Sequence, residues 1–154
     1  MELQNFLEEN KIWHHFINKP ETIHTKDASL SSGIKLHQLT KSLVLLDQDK
    51  KAILAIIPGD CKLSLSKVKI FLGIKKLQLV PFEQAQNYSG YLPGATPMIY
   101  HKVKMKVVLD KKLLEYESIY GGGGSRDRLL ELKTNDVIRL NSAIVEDICE
   151  EICK

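Results

Sequence analysis

The stretch Ser42-Leu43-Val44-Leu45-Leu46-Asp47-Gln48-Asp49-Lys50-Lys51-Ala52-Ile53-Leu54-Ala55-Ile56-Ile57 decides the fold of this chain. Two apolar runs of strand length flank the polar, turn-prone residues Asp47 to Lys50. Apolar runs this short, bounded by turn signals, read as strands. Neither arm alternates with polar residues, so both faces of each are expected to be buried at the centre of a sheet. Pro58-Gly59-Asp60 ends the second arm, because proline lacks an amide donor and glycine turns the chain.

Shorter elements extend outward from this hairpin. Residues 2–10 put Leu3, Phe6 and Leu7 on one helical face, and Ile12 to Ile17 reads as a strand. Lys26 to Ser32 forms a helix stopped by Gly33, and Ser64 caps a second helix stopped at Gly73. Leu77 to Val80 is a strand, Pro81 opens a helix that ends before Gly90, and residues 91–97 form a loop. Lys102 to Leu109 alternates basic and apolar residues, the pattern of a half-buried strand. Glu117 to Tyr120 and Leu129 to Leu132 are strands around a glycine run, and Thr134 caps a short helix. Val145, Ile148, Cys149 and Ile152 share one face of a closing helix. The interleaving implies a mixed α/β (α+β) fold with a partly antiparallel sheet. The length suits one domain over residues 1–154.

Hydrophobic residues at 44% and a net charge of only +3 exclude disorder. That charge permits a nucleic-acid partner without requiring one. The longest apolar run, Ala52 to Ile57, is far below the ~20 residues of a membrane span. The acidic opening segment lacks a signal-peptide core, and three cysteines suit reduced thiols, so a cytoplasmic location is expected. Cys149 and Cys153 would share a helical face, but zinc takes four ligands and no nearby His or Cys completes a set. No metal and no cofactor is expected. No nucleophile elbow of the Gly-x-Ser-x-Gly type is present, and Cys61 has no histidine near it in sequence. Catalysis by this chain would rest on positioning and backbone electrostatics.

Four segments can carry such chemistry. Gly121-Gly122-Gly123-Gly124-Ser125 either forms a mobile hairpin tip or contacts a ligand through its amides. Gly90-Tyr91-Leu92-Pro93-Gly94-Ala95-Thr96-Pro97 is stiffened by two prolines and can wall a small pocket. Lys41 is either a solvated strand end or a cation at the rim of a sheet, able to meet a phosphate or polarise an ester. Lys102, Lys104 and Lys106, on one face of a strand, either guard an edge or form an electrostatic footprint extended by Arg126.

Together these pieces resemble the editing domain of bacterial prolyl-tRNA synthetase and its free-standing YbaK-type relatives, which are aminoacyl-tRNA deacylases. The resemblance is carried by His24-Thr25 with Ala28, by Lys41-Ser42-Leu43-Val44-Leu45, by the loop Gly90 to Pro97, and by Ile119 to Gly124 followed by Leu130-Glu131-Leu132. The order and spacing agree over residues 22–150.

The resemblance implies a curved, mostly antiparallel mixed sheet, barrel-like, flanked by short helices. It implies hydrolysis, in trans and without a metal, of tRNA mischarged with a small amino acid (alanine, cysteine or serine), with proline tRNA as the candidate acceptor. Lys41 would engage the terminal adenosine, and the Gly94 backbone would hold the ester and its attacking water. Gly122, Gly123 and Gly124 would form the opposite wall. Thr25, Ser42, Ala95, Thr96, Pro97 and Ser125 would complete the substrate site, and Lys102, Lys104, Lys106 and Arg126 would bind tRNA. The partners implied are the 3′ end of an aminoacylated tRNA and a synthetase. The family often has a second glycine where Ala95 stands and more often serine where Thr96 stands, and these departures, with the place of Glu131, bear on which amino acid is taken. The competing readings are a non-catalytic tRNA- or synthetase-binding adaptor and a phosphate-binding module.

Overall fold

The computed structural model describes residues 2–151. Its elements are α1 (Leu3–Glu9), β1 (His14–Asn18), α2 (Thr25–Ser32), β2 (Thr40–Asp47), β3 (Ala52–Pro58), α3 (Leu65–Leu72), β4 (Leu77–Leu79), α4 (Gln86–Ser89), β5 (Lys106–Asp110), β6 (Ser118–Gly122), β7 (Arg128–Lys133), α5 (Thr134–Asn141) and β8 (Ile144–Glu146). Short 3₁₀ turns precede α4 (Phe82–Gln84) and follow β5 (Lys111–Glu115).

The hairpin β2–β3 is central, as its composition requires. It sits inside a five-stranded sheet of order β4-β2-β3-β5-β8, with Lys41 opposite Ile57 and Leu45 opposite Ile53. Leu54 and Ile56 point into one core with Val107, Leu109, Ile119, Leu130 and Leu132. Ile53, Ala55 and Ile57 point the other way, onto Val68 of α3, Ile148 and Cys149. Burial on both faces is the physical reason for the unbroken apolar run in β3. The second sheet, β1-β7-β6, is antiparallel and three-stranded. The five-stranded sheet is mixed: β3–β5 and β5–β8 are parallel, its other pairs antiparallel.

Five expectations change. The strands do not close into a barrel among the described residues. The two sheets share a core, but among the described residues only the bridge from Leu39 to Tyr120 links their ladders, beside which Thr40 Oγ1 donates to the Tyr120 carbonyl at 2.9 Å. The strand expected from Lys102 begins only at Lys106. Tyr100 takes φ +65°, and the amides of Lys102 and Val103 bond the Ser89 and Tyr88 carbonyls at the end of α4. Val103 is consequently 38% exposed, and Lys102, Lys104 and Lys106 do not share one strand face.

The closing helix is replaced over its described part by β8 and an extended segment. The Ile148 amide donates to the buried Asp110 carboxylate at 2.9 Å, and Ile148 and Glu150 pair with Ser64 and Lys62. The open edge of β5 outcompetes the local helical spacing. Ile152 and Cys153 lie outside the described residues. Thr134 starts α5 but does not cap it, because its hydroxyl donates to the Tyr116 carbonyl at 2.6 Å. Among the described residues, no helix is long and apolar enough to cross a membrane.

Candidate active site

Lys41 enters the site at the start of β2, opposite Ile57 and away from β4, which pairs only with Leu45 to Asp47. Its ammonium donates to the Cys61 carbonyl at 2.9 Å, and no carboxylate pairs with it among the described residues. Gly59 allows this approach. A methyl there would lie 2.7 Å from the Leu36 and Leu39 carbonyl oxygens and 2.8 Å from Thr25 Cγ2. In the sequence Gly59 reads only as a strand end. In the structure it lets the loop before β2 and helix α2 close down on the end of the hairpin.

The facing wall is the loop after α4. Leu92-Pro93-Gly94-Ala95 is a tight turn, closed by the Ala95 amide on the Leu92 carbonyl at 2.9 Å, with Gly94 at φ +86°. Proline then a left-handed glycine is the pairing such a turn needs. Other groups clamp it from outside. Arg126 Nε donates to the Pro93 carbonyl at 2.8 Å. His101 Nε2 lies 2.8 Å from the Pro97 carbonyl, and burial holds its imidazole below the ordinary value. A neutral ring therefore donates to that carbonyl. Tyr91 Oη donates to the Tyr100 carbonyl at 2.7 Å. The buried Lys19 ammonium ties the Arg126 carbonyl to Thr22 Oγ1.

The glycine run has a different physical cause from the one expected. The Gly122 amide donates to the Thr96 carbonyl (3.2 Å), Gly124 to Ala95 (2.9 Å) and Gly123 to Arg128 (3.0 Å). A methyl on Gly122 would collide with the Ala95–Thr96 backbone, and one on Gly121 with Met98. These glycines let β6 pack flat against the loop, and their amides are already engaged. The amides of Gly94 and Thr96, in contrast, have no hydrogen-bond partner among the described residues.

Between the walls lies a cavity of about 630 Å³. It is lined by Lys41, Gly94, Thr25, Ser42 and Thr96 together with Cys61, and closed on one side by His24 stacked on Phe82 with ring centroids 6.0 Å apart. A narrow recess of about 70 Å³ shares Ser42, Leu43, Phe82 and Thr96 and runs on to Val44, Val80 and Tyr91. Gly122 reaches only a shallow side recess beside Thr25 and Thr40. Gly123, Gly124, Ala95, Pro97 and Ser125 do not line the cavity; Ser125 Oγ bonds Asp127. Glu131 bonds Ser118 Oγ at 2.6 Å and lies near His15, away from the cavity lining. Burial raises the thiol pKa of Cys61, so it stays protonated at neutral pH. The clamps Lys19, His101 and Arg126 carry no local sequence signal for this role.

Fold and site define a mixed α/β domain whose ligand cavity is built from one tethered lysine and rigid backbone turns. The aminoacyl-tRNA editing domain family matches residues 19–140, and this chain belongs to that family. A protein of Enterococcus faecalis provisionally named Cys-tRNA(Pro)/Cys-tRNA(Cys) deacylase EbsC is 23% identical, covering 88% of this chain and 82% of that protein. The multifunctional Ser/Thr-tRNA deacylase ProXp-y of Escherichia coli is 27% identical over 84% of this chain and 77% of its own. A crystal structure provisionally described as a trans-editing enzyme for prolyl tRNA synthetase superposes with a TM-score of 0.84 at 25% identity, covering 97% and 96% of the two chains.

Proposed function

We propose that this chain is a trans-editing deacylase that hydrolyses the ester joining a small amino acid to the 3′ end of a tRNA. The observation that carries the reading is that Lys41, Gly94 and Thr96 line one cavity with a narrow side recess, and that the Gly94 and Thr96 amides have no hydrogen-bond partner among the described residues. The relatives named as tRNA deacylases support it.

In this mechanism Lys41 holds the terminal nucleotide through its ribose and phosphate oxygens. The carbonyl oxygen of the ester accepts from the Gly94 and Thr96 amides. Water attacks the carbonyl carbon, the C–O bond to the ribose breaks, and the proton lost by water ends on the ribose oxygen. One preorganised donor of this kind is worth about 2.7–4 kcal/mol, or 10²–10³ in rate. A labile ester needs little more. The recess of about 70 Å³ holds roughly two water volumes, which suits the side chain of alanine, serine or cysteine. A synthetase pocket separates residues differing by one methylene by only ~1–3 kcal/mol, so a second site selecting on size has work to do.

The test is hydrolysis of a panel of tRNAs, among them proline tRNA charged with alanine, cysteine, serine or proline. Turnover of at least one small residue with proline spared is expected. Lys41→Ala lowers that rate by about 10²-fold without unfolding the chain. Equal rates would remove Lys41 from the mechanism, and tight tRNA binding without turnover would favour the adaptor reading.

A further inference from the structure

A second cavity, of about 640 Å³, opens at the opposite end of the β2–β3 hairpin. Lys50, Lys51, Lys104 and Lys106 rim it, over a floor that includes Ile53, Leu72, Ile74 and Tyr88. Lys75 and Lys76 flank it, held there as the Lys76 amide reaches Gln48 Oε1 at 3.5 Å. All six lysines are exposed, and none has a carboxylate within ion-pair distance among the described residues. The acidic lining residue, Asp47, spends its Oδ1 on the amides of Asp49 (2.8 Å) and Lys51 (2.9 Å) inside the turn. The whole chain is only +3, so much of its unbalanced positive charge is concentrated here.

Protection of a sheet edge does not explain this grouping. β8 pairs with β5 only from Val108 to Asp110, so edge protection accounts for Lys106 alone; Lys50 and Lys51 sit in a closed turn and Lys104 precedes the strand. Like charges brought together at a concave surface repel one another and focus a positive potential outward. That is the signature of a polyanion site.

The two cavities lie at the two ends of β2, which runs from Thr40 to Asp47. At about 3.3 Å per residue, the ends are roughly 23 Å apart. Stacked nucleotides place a phosphate about every 3.4 Å per strand, so roughly seven nucleotides span the gap. A bare aminoacylated nucleotide in the first cavity cannot reach the second, whereas the stem behind a tRNA's 3′ end can.

We propose that the lysine-rimmed cavity at the hairpin turn docks the phosphate backbone of the substrate RNA's stem, about seven nucleotides from the ester. This rests on the deacylase reading and adds to it a surface far from the reacting atoms. It regroups Lys104 and Lys106 with Lys50, Lys51, Lys75 and Lys76 and leaves Arg126 out, since Arg126 is engaged with Pro93.

Two double variants, Lys50→Glu/Lys51→Glu and Lys104→Glu/Lys106→Glu, reverse exposed charges and leave the cores untouched. Affinity for uncharged full-length tRNA is measured from low to high salt. Hydrolysis is measured on aminoacylated full-length tRNA and on an aminoacylated CCA trinucleotide. Each variant is expected to lose about tenfold in tRNA affinity at low salt and to reduce the salt slope by about two. Its rate on the trinucleotide should match the wild type. Unchanged affinity and slope overturn the proposal, and so do equal losses on the trinucleotide and the full-length substrate. Saturable binding of inorganic tripolyphosphate that the variants abolish, with tRNA affinity unchanged, also overturns it, in favour of a small phosphate ligand. If the wild type hydrolyses neither ester, the deacylase reading fails while the affinity arm still decides the docking surface.

Discussion

Replacing Gly94 with alanine tests the site through its backbone. Gly94 sits at φ +86°, and an added methyl would lie 2.7 Å from both the Cα and the carbonyl oxygen of Ile23 and 3.0 Å from the Thr22 carbonyl oxygen. Those are backbone atoms of a segment tied down by Lys19 and Arg126, so they yield only if the loop moves as a whole. The left-handed conformation costs an L-residue about 1–2 kcal/mol, and overpacking adds about 1–3 kcal/mol. A loss of roughly 2–5 kcal/mol leaves a domain of ordinary stability folded or close to it. A shift of about 1 Å in the Gly94 and Thr96 amides costs on the order of 10²-fold in rate. Gly33 and Gly73 supply the control, with φ of +78° and +66° and open space around the added carbon. Alanine there should cost only the conformational ~1–2 kcal/mol and leave turnover unchanged. Denaturant unfolding and deacylation rates for the three variants separate the cases. If Gly94→Ala matches Gly33→Ala in both stability and rate, the packed turn does not align the donors.

Arg126→Ala should destabilise the chain by about 1.5–3 kcal/mol through loss of a charge-assisted bond to the Pro93 carbonyl, while lowering the rate more than a similarly destabilising substitution in α1; unfolding and kinetics together check this. His101 gives a pH dependence whose sign is set by burial, which holds its pKa below the ordinary 6.5. As pH falls through 6.5 the unfolded chain takes up the proton first, so this contribution to stability is present above 6.5 and drains away toward the lower folded value. Thermal unfolding between pH 7.5 and 5 should show it, and His101→Gln should flatten it. Deacylation should survive incubation with a chelator, since every group in the proposed step belongs to the chain, water or substrate; abolition reversed by added metal would contradict the mechanism.

What could be read locally was what local physics decides. The β2–β3 hairpin follows from two apolar runs of strand length, the helix stops at Gly33 and Gly73 from their freedom at positive φ, and the Pro93-Gly94 turn from its dipeptide. Where competition is between distant partners, local pattern misleads. Ile148 and Cys149 have helical spacing, but the open edge of β5 and the Asp110 carboxylate capture that segment as extended chain. Lys102 and Val103 alternate like a strand, but their amides are taken by the end of α4.

By itself the sequence determined which residues are stiff, which turn and which must be buried, because those properties belong to a residue and its immediate neighbours. Only the tertiary structure decided what the glycines are for and which groups remain free. The Gly122 and Gly124 amides meet the Thr96 and Ala95 carbonyls, 26 and 29 positions back in the chain. That pairing, with the Cys61 carbonyl on Lys41 and Arg126 on Pro93, leaves the Gly94 and Thr96 amides without a partner among the described residues. Whether a backbone amide is spent or available depends on long-range hydrogen bonding, which no short stretch of sequence encodes.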